Sequence, residues 1–155
     1  GEFATVHIDR QRNKVCGISR ERGKTVRLTY YSNAGKKEFD CHIPQGEIIT
    51  VSAGQERCIY RGNIKTAEYY PAHNMVLIGA NGDEYALELI GLTLSGETLF
   101  AAVLPDEMKL WYFGLFGDMP NVACIGGEDE SASERSGYWY EVRSSGELVR
   151  RAVVY

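Results

Sequence analysis

The residues of this chain that could carry chemistry are few and widely spaced. It has three histidines, His7, His42 and His73. His42 directly follows Cys41, but neighbouring residues of a β-strand point to opposite faces, so this pair cannot share a proton within a strand. A Cys–His dyad would therefore need another histidine brought close by the fold.

Sequence motifs of common enzyme and metal sites are absent. The chain has no nucleophile elbow, phosphate-binding loop, H-E-x-x-H zinc motif or dinucleotide fingerprint. The adjacent carboxylates Asp83-Glu84 and Asp106-Glu107 are typical of solvated turns. The acidic run Glu128-Asp129-Glu130 lacks the alternating ligands and the central glycine of a calcium loop. We therefore predict no catalytic residue, metal site or cofactor, and we expect a protein that is not an enzyme.

The four cysteines are Cys16, Cys41, Cys58 and Cys124. Their number is even and they show no C-x-x-C spacing, which disfavours a zinc knuckle or a thioredoxin-like redox pair. We expect one or two disulfides and therefore an oxidising compartment. Sequence cannot choose among the pairings, although Cys41 and Cys58 close the shortest loop. The alternative is that some of these cysteines are buried free thiols.

Aromatic residues are numerous, with ten Tyr, two Trp and five Phe. They are densest at Trp111-Tyr112-Phe113 and Tyr138-Trp139-Tyr140. Because side chains alternate along a strand, we expect Trp111 and Phe113 to fill the core while Tyr112 faces solvent, or the reverse. Exposed Tyr and Trp rings would provide a surface on which sugars stack.

The polar tripeptide Ser95-Gly96-Glu97 separates two apolar runs and has the pattern of a hairpin tip. As a plain turn, Ser-Gly supplies the backbone angles that a tight reversal requires. As a binding tip held rigidly by its hairpin arms, it could enter the cleft of another protein at a low ordering cost. Ser95 would then hydrogen-bond a partner's active-site imidazole, and Gly96 would permit close approach. The predicted partner-binding residues are Ser95, Gly96, Glu97, Asn81, Asp83 and Tyr112.

The elements that must position these residues have the pattern of β-hairpins. Short β-branched or aromatic runs alternate with turns rich in Gly, Asn, Asp and Ser. Such turns are predicted at Pro44-Gln45-Gly46, near Gly62-Asn63, at Asn81-Gly82 and at Ser144-Ser145-Gly146, and Asn81-Gly82 is the strongest signal. We predict about six consecutive hairpins in one all-β domain over residues 4–155, with Gly1-Glu2-Phe3 as a cloning scar. Because exposed strand edges promote aggregation, the hairpins are expected to form a propeller-like body or a closed meander barrel. The segment 126–137 has no large apolar residue and is predicted to be a surface loop.

Length, net charge and the lengths of apolar runs indicate which classes of partner are disfavoured for this chain. The chain has 155 residues, of which 44% are hydrophobic, and its net charge is −4. This length and composition suit one domain with a substantial core. The absence of excess positive charge disfavours a nucleic-acid partner. No apolar run reaches the roughly 18 residues needed to cross a bilayer, so we expect no membrane insertion.

An acidic domain of this size, built from serial short hairpins and lacking a catalytic motif, resembles the periplasmic immunity proteins with which bacteria neutralise type VI secreted peptidoglycan amidases. The resemblance lies in the general plan of the whole chain. It implies a non-enzymatic inhibitor that binds a cognate secreted cell-wall hydrolase and occludes its active site with hairpin loops, for which Ser95-Gly96-Glu97 is the only counterpart. It also implies a periplasmic or secreted protein whose leader has been removed. The alternative function is an extracellular carbohydrate-binding or adhesion module that uses exposed aromatic residues.

Overall fold

The part of the chain that the structure describes folds into β-strands and turns. The computed structural model describes residues 3–9, 14–21, 24–32, 36–82, 85–104, 108–126 and 137–154, with side chains described over 27–31, 36–82, 85–104, 108–126 and 137–152. Within these ranges the only helical turns are two 3-10 segments, Ile43–Gln45 and Pro71–His73. The predicted all-β class is therefore confirmed. The acidic run Glu128-Asp129-Glu130 lies outside the described residues.

The described strands form three antiparallel sheets, in each of which the spatial order follows the order along the chain. Such meanders arise when each strand turns directly into its neighbour. Sheet A contains β1 (Phe3–Asp9), β2 (Lys14–Glu21), β3 (Lys24–Ser32), β4 (Lys37–His42), β5 (Glu47–Ser52) and β6 (Gln55–Arg61). Sheet B contains β7 (Ile64–Tyr70), β8 (Met75–Ala80), β9 (Glu88–Thr93) and β10 (Thr98–Val103). Sheet C contains β11 (Met108–Phe116), β12 (Met119–Gly126), β13 (Gly137–Val142) and β14 (Leu148–Val154).

Sheet B is the middle layer of a three-layer stack. All six residues of β8 are buried. Val76 and Ile78 belong to a core shared with sheet A, whereas Met75 and Leu77 belong to a second core shared with sheet C. A strand buried on both faces needs apolar residues at every position, which explains the continuous run MVLIGA.

Among the described strands the three sheets are separate, and none of them closes into a barrel. The runs that meet near Gly62-Asn63 read as a hairpin in the sequence, but this prediction is wrong, because β6 and β7 belong to different sheets. The chain crosses between sheets where the Gly62 N–H donates to the Gly46 carbonyl at 2.9 Å. A Cβ on Gly46 would lie 2.3 Å from the Gly62 oxygen, so this approach requires glycine.

Strand β12 was not predicted from the sequence. It pairs with β11 on one side and with β13 on the other, and so it forms part of the centre of sheet C. Its residues Pro120 and Asn121 disfavour a strand by propensity, and tertiary packing overrides that preference.

Candidate functional site

The predicted partner-binding residues are not brought together by the fold. Asn81 follows β8 and Ser95 follows β9, and these strands run antiparallel, so the two turns lie at opposite ends of sheet B. The six-residue strand β9 between them spans about 20 Å. Tyr112 lies in sheet C, and Asp83 lies outside the described residues. The set therefore does not form one continuous surface.

The Ser95-Gly96-Glu97 turn is closed by its own hydrogen bonds. The Thr93 N–H donates to the Glu97 carbonyl at 2.9 Å, and the Gly96 N–H donates to the Thr93 carbonyl at 3.1 Å. The hydroxyls of Thr93 and Ser95 are 2.9 Å apart, so the Ser95 hydroxyl already has a partner. Gly96 has a φ of +96°, which favours glycine. These features account for the residue types at this turn.

The same turn packs against sheet A. The Thr50 hydroxyl donates to the Leu94 carbonyl at 3.1 Å. A Cβ on Gly96 would lie 3.4 Å from Cγ2 of Ile59, so the backbone of the turn sits close to β6. Ser95 and Glu97 remain exposed, but the turn joins two layers of the protein instead of projecting freely.

Asn81 also has a structural role. It has a φ of +60° and is followed by Gly82 at +96°. Asparagine is one of the few side chains that tolerate this backbone region. Its side-chain amide donates to the Glu88 carboxylate, so its polar group is committed within sheet B.

The expected disulfides do not form among the described cysteines. Cys41, Cys58 and Cys124 are all free thiols. Cys41 faces the core from β4 and Cys58 is exposed on β6, with β5 between the two strands. Strands two apart lie roughly 9.5 Å from each other, beyond the ~7 Å limit for a disulfide, and the side chains point away from each other. The side chain of Cys16 lies outside the described residues.

Cys41 and His42 do not form a dyad. Cys41 is fully buried, and burial raises the pKa of its thiol to about 12. His42 instead lies beside Asp40, with its Nε2 3.5 Å from the carboxylate. Asp40 is also bound by Arg27, whose Nε donates to it at 2.8 Å, and by the Thr29 hydroxyl at 2.8 Å. Asp40 is 1% exposed, so this group is a closed ion cluster on sheet A.

The surface that stands out is the outer face of sheet C, which we call the aromatic face. It carries Trp111, Tyr112 and Phe116, which are 43%, 36% and 52% exposed, together with the half-buried Trp139. Tyr112 and Trp139 lie on the same row, since each pairs with Ala123. Large aromatic side chains are rarely left exposed side by side unless they contact another molecule.

A β-bulge creates this exposure. The register of β11 against β12 shifts between Leu110 and Tyr112, which leaves Trp111 as the extra residue. Simple alternation predicted that Trp111 and Tyr112 face opposite sides, and this prediction is wrong because both are exposed while Phe113 packs against the core. A bulge places consecutive side chains on nearly the same side of a sheet.

The four rings form an unbroken array. The Trp111 and Tyr112 centroids are 4.8 Å apart, those of Tyr112 and Trp139 are 5.1 Å apart, and those of Trp139 and Phe116 are 5.0 Å apart. Their planes meet at 72°, 84° and 79°, so each ring packs edge-to-face on the next. Edge-to-face contacts hold the rings in fixed positions before any partner binds.

Gly114 makes room for this array. An added Cβ would lie 2.9 Å from Cη2 and Cζ3 of the Trp139 ring, closer than carbon atoms approach. The ring therefore lies over the backbone of β11. This contact gives Gly114 a role that its position inside a strand does not suggest.

Polar groups lie beside the rings on the same face. Asn121 and Glu141 are paired across β12 and β13 and are only 1% and 6% exposed. Glu141 is held from two sides, by Nη2 of Arg151 at 2.7 Å and by Nε of Arg143 at 2.8 Å. The Asn121 amide donates to the Met119 carbonyl at 3.0 Å, and its Oδ1 has no partner among the described residues. The face thus combines an aromatic centre with a buried carboxylate and two half-exposed arginines.

Of the residues on this face, Trp111, Tyr112 and Trp139 are binding candidates from the sequence alone. Phe116, Asn121, Glu141 and the two arginines are not, and only the structure adds them. The available signal was the density of aromatic residues between positions 111 and 116. The polar residues carry no sequence signal, because strand pairing alone brings them beside the rings.

The described residues were also compared with the requirements of a metal site and of a membrane-spanning helix. They contain no group of three or more His, Cys, Asp or Glu side chains placed to hold a metal ion. No helix among them is long and apolar enough to cross a bilayer.

Comparisons with known proteins identify no relative. No family model, curated protein or solved structure matches this chain. Its function must therefore be inferred from the residues of the aromatic face.

Proposed function

We propose that this protein is a non-enzymatic binding protein that recognises another protein through the aromatic face. The observation that carries the proposal is the exposure of Trp111, Tyr112 and Phe116 side by side on one sheet. Trp, Tyr and Arg are the residue types most enriched at the energetic centres of protein interfaces. Arg143 and Arg151 lie at the edge of the same array and are about half exposed.

The arrangement of the rings favours a protein ligand over a sugar. A saccharide stacks on a flat ring face, and an extended sugar site needs successive faces presented in one direction. Here each ring is nearly perpendicular to the next. Such a surface is ridged, and it suits the irregular apolar side chains of a protein better than the flat face of a sugar.

A carbohydrate is the second candidate ligand. It is favoured by one observation, the proximity of Asn121, Glu141 and two arginines to the rings. Amide, carboxylate and guanidinium groups beside an aromatic ring can hydrogen-bond sugar hydroxyls. In this case Trp111 at the end of the array would provide the stacking face.

The biological setting belongs to the same proposal. By the resemblance to immunity proteins, the partner is a cognate secreted bacterial enzyme whose active site is blocked, and the protein acts in the periplasm or outside the cell. The free thiols of Cys41, Cys58 and Cys124 remove the disulfide support for that compartment, so the location rests on the resemblance. The contacts of Ser95 and Gly96 with their own protein favour the aromatic face over the 95–97 turn as the binding surface.

Site-specific photo-crosslinking tests which surface binds. A photoreactive phenylalanine analogue is placed at Tyr112, at Ser95 or at Gln55, in separate variants expressed in bacteria that produce the partner. Gln55 is exposed on β6 of sheet A, away from sheet C, so it serves as the control. We expect one specific protein adduct from position 112 only. An adduct from position 95 alone would show that the partner binds the 95–97 turn and not the aromatic face.

Affinity and inhibition are then measured with the captured partner. Trp111→Ala is expected to weaken binding about 30-fold, corresponding to roughly 2 kcal/mol, whereas Gln55→Ala leaves it unchanged. Saturating the partner with the wild-type protein is expected to abolish its enzymatic activity. Full activity at saturation would refute the inhibitor role, and binding to a glycan array with quenching of tryptophan fluorescence would replace the protein ligand by a saccharide.

A further inference from the structure

Strand β10 differs in composition from the other edge strands. The three sheets end in β1, β6, β7, β10, β11 and β14. Each of these strands except β10 contains at least one charged residue, whereas β10 reads TLFAAV. Charged residues on edge strands block pairing with other chains. Strand β10 therefore lacks the commonest protection of a sheet edge.

The exposed side of β10 is also apolar. Leu99, Ala101 and Val103 alternate along the strand and are all exposed, with values of 45% for Leu99 and 85% for Val103. Phe100, which lies between Leu99 and Ala101, is buried in the core shared with sheet C. No backbone hydrogen bond links β10 to any described strand other than β9.

We propose that β10 pairs with β10 of a second copy of this chain, in antiparallel orientation about a two-fold axis. A two-fold axis places a segment of one copy against the same segment of the other. Because β10 has no charged residue, no register of this pairing places like charges opposite each other. The exposed apolar residues of β10 are also arranged symmetrically about Ala101, so a second copy presents the same pattern in reverse and is a complementary partner.

The order of side chains in β10 suits this pairing. With the axis at Ala101, Leu99 of one copy lies opposite Val103 of the other, and the two Ala101 residues face each other. Apolar residues thus meet apolar residues at each of these three positions, and the small central pair lets the backbones approach. The two four-stranded sheets become one sheet of eight strands.

The contact is expected to be of limited strength. The register of β10 shifts between Thr98 and Phe100, and a bulge near the start of an edge strand shortens the segment that can pair. One short strand pair also buries less than the roughly 1,200 Å² of a stable interface. We therefore expect a monomer–dimer equilibrium that depends on concentration.

Sedimentation equilibrium tests the proposal. As the concentration rises, the mass of the wild-type protein is expected to increase from 17.3 kDa towards twice that value. Val103→Lys should hold the protein at the monomer mass, because each lysine would face the apolar Leu99 of the other copy. Gln55→Lys adds the same charge at an exposed position of β6, an edge strand of sheet A, and should leave the equilibrium unchanged. A wild-type protein that stays monomeric at all concentrations would overturn the proposal, as would a dimer that is insensitive to Val103→Lys.

Cross-linking provides a second measurement that does not depend on the lysine variant. Ala101→Cys is introduced together with Cys16→Ser and Cys58→Ser, so that among the native thiols only the buried Cys41 and Cys124 remain. Opposed residues of an antiparallel pair have Cβ atoms about 5 Å apart, so a short bifunctional maleimide should join the two copies. The protein with Cys16→Ser and Cys58→Ser alone should not cross-link. Capture of an extended peptide at β10 without dimer formation would assign the edge to another protein instead.

The dimer is independent of the proposed function. Strand β10 lies in sheet B, whereas the aromatic face belongs to sheet C. Loss of dimerisation in Val103→Lys should therefore leave partner binding intact, and loss of partner binding in Trp111→Ala should leave the dimer intact.

Discussion

Replacing Leu77 and Ile78 one at a time by alanine tests whether sheet B is buried on both faces. The two residues are adjacent on β8 and therefore point to opposite sides. Both are 0% exposed, with Leu77 in the core shared with sheet C and Ile78 in the core shared with sheet A. In a two-layer protein only one of two adjacent strand residues would be buried.

The expected cost follows from the atoms removed. Each substitution deletes three carbon atoms, and at about 0.8 kcal/mol per buried carbon the transfer contribution is about 2.4 kcal/mol. The cavity left in a closely packed core raises the total to about 3–4 kcal/mol. Leu87→Ala deletes the same atoms at a site that is 45% exposed, so about 1 kcal/mol is expected there.

Urea unfolding followed by circular dichroism measures these differences. For a protein of this size the unfolding free energy falls by about 2 kcal/mol per molar urea, so each core variant should unfold at a midpoint about 1.5–2 M lower than the wild type. Leu87→Ala should shift the midpoint by about 0.5 M. If either Leu77→Ala or Ile78→Ala costs no more than Leu87→Ala, one face of sheet B is not buried and the three-layer arrangement is refuted.

Two further predictions concern titratable groups. Burial raises the pKa of Asp40, but hydrogen bonds led by that from Arg27 outweigh this effect, so the pKa lies below the ordinary value of 3.8. A lowered pKa means that the ionised carboxylate stabilises the folded protein. This stabilisation is present above the unfolded-state pKa and is lost as the pH falls through the folded-state pKa. Acid titration of the unfolding free energy should accordingly show a decline below about pH 4 that is smaller in Asp40→Asn, and identical profiles would contradict the ion cluster. Burial raises the pKa of the Cys41 and Cys124 thiols to about 12, whereas Cys58 is exposed. A thiol reagent should therefore modify Cys58 in the native protein and the other two cysteines only after unfolding, as measured by peptide mass spectrometry. Labelling of Cys41 or Cys124 in the native protein would contradict this prediction, because it would show that the reagent reaches the core around that thiol.

Much of the local structure follows directly from residue types. The hairpins at Pro44-Gln45-Gly46, Ser95-Gly96-Glu97 and Ser144-Ser145-Gly146 were all predicted, because glycine and small polar residues mark the reversals between apolar runs. The pairing of β8 with β9 was predicted from Asn81-Gly82. Its connection is longer than a two-residue turn, since β9 begins only at Glu88.

The candidate site was predictable only in part. The aromatic density near Trp111 indicated a surface of interest, but the bulge that exposes both Trp111 and Tyr112 depends on the pairing of β11 with β12, a strand that the sequence did not predict. Cys41 and Cys58 were disulfide candidates because they close the shortest loop. They do not pair because β5 separates their strands and their side chains lie on opposite faces of the sheet, and the length of the loop indicates neither.

The sequence by itself determined that this chain is all-β and where most of its strands reverse, because alternation, β-branched content and turn residues act over a few neighbouring positions. Only the tertiary structure decided that the strands divide into three stacked sheets and that Trp111, Trp139 and Phe116 form one surface. These features arise from contacts between residues far apart in the chain, and the energy of such contacts depends on packing that no local pattern encodes.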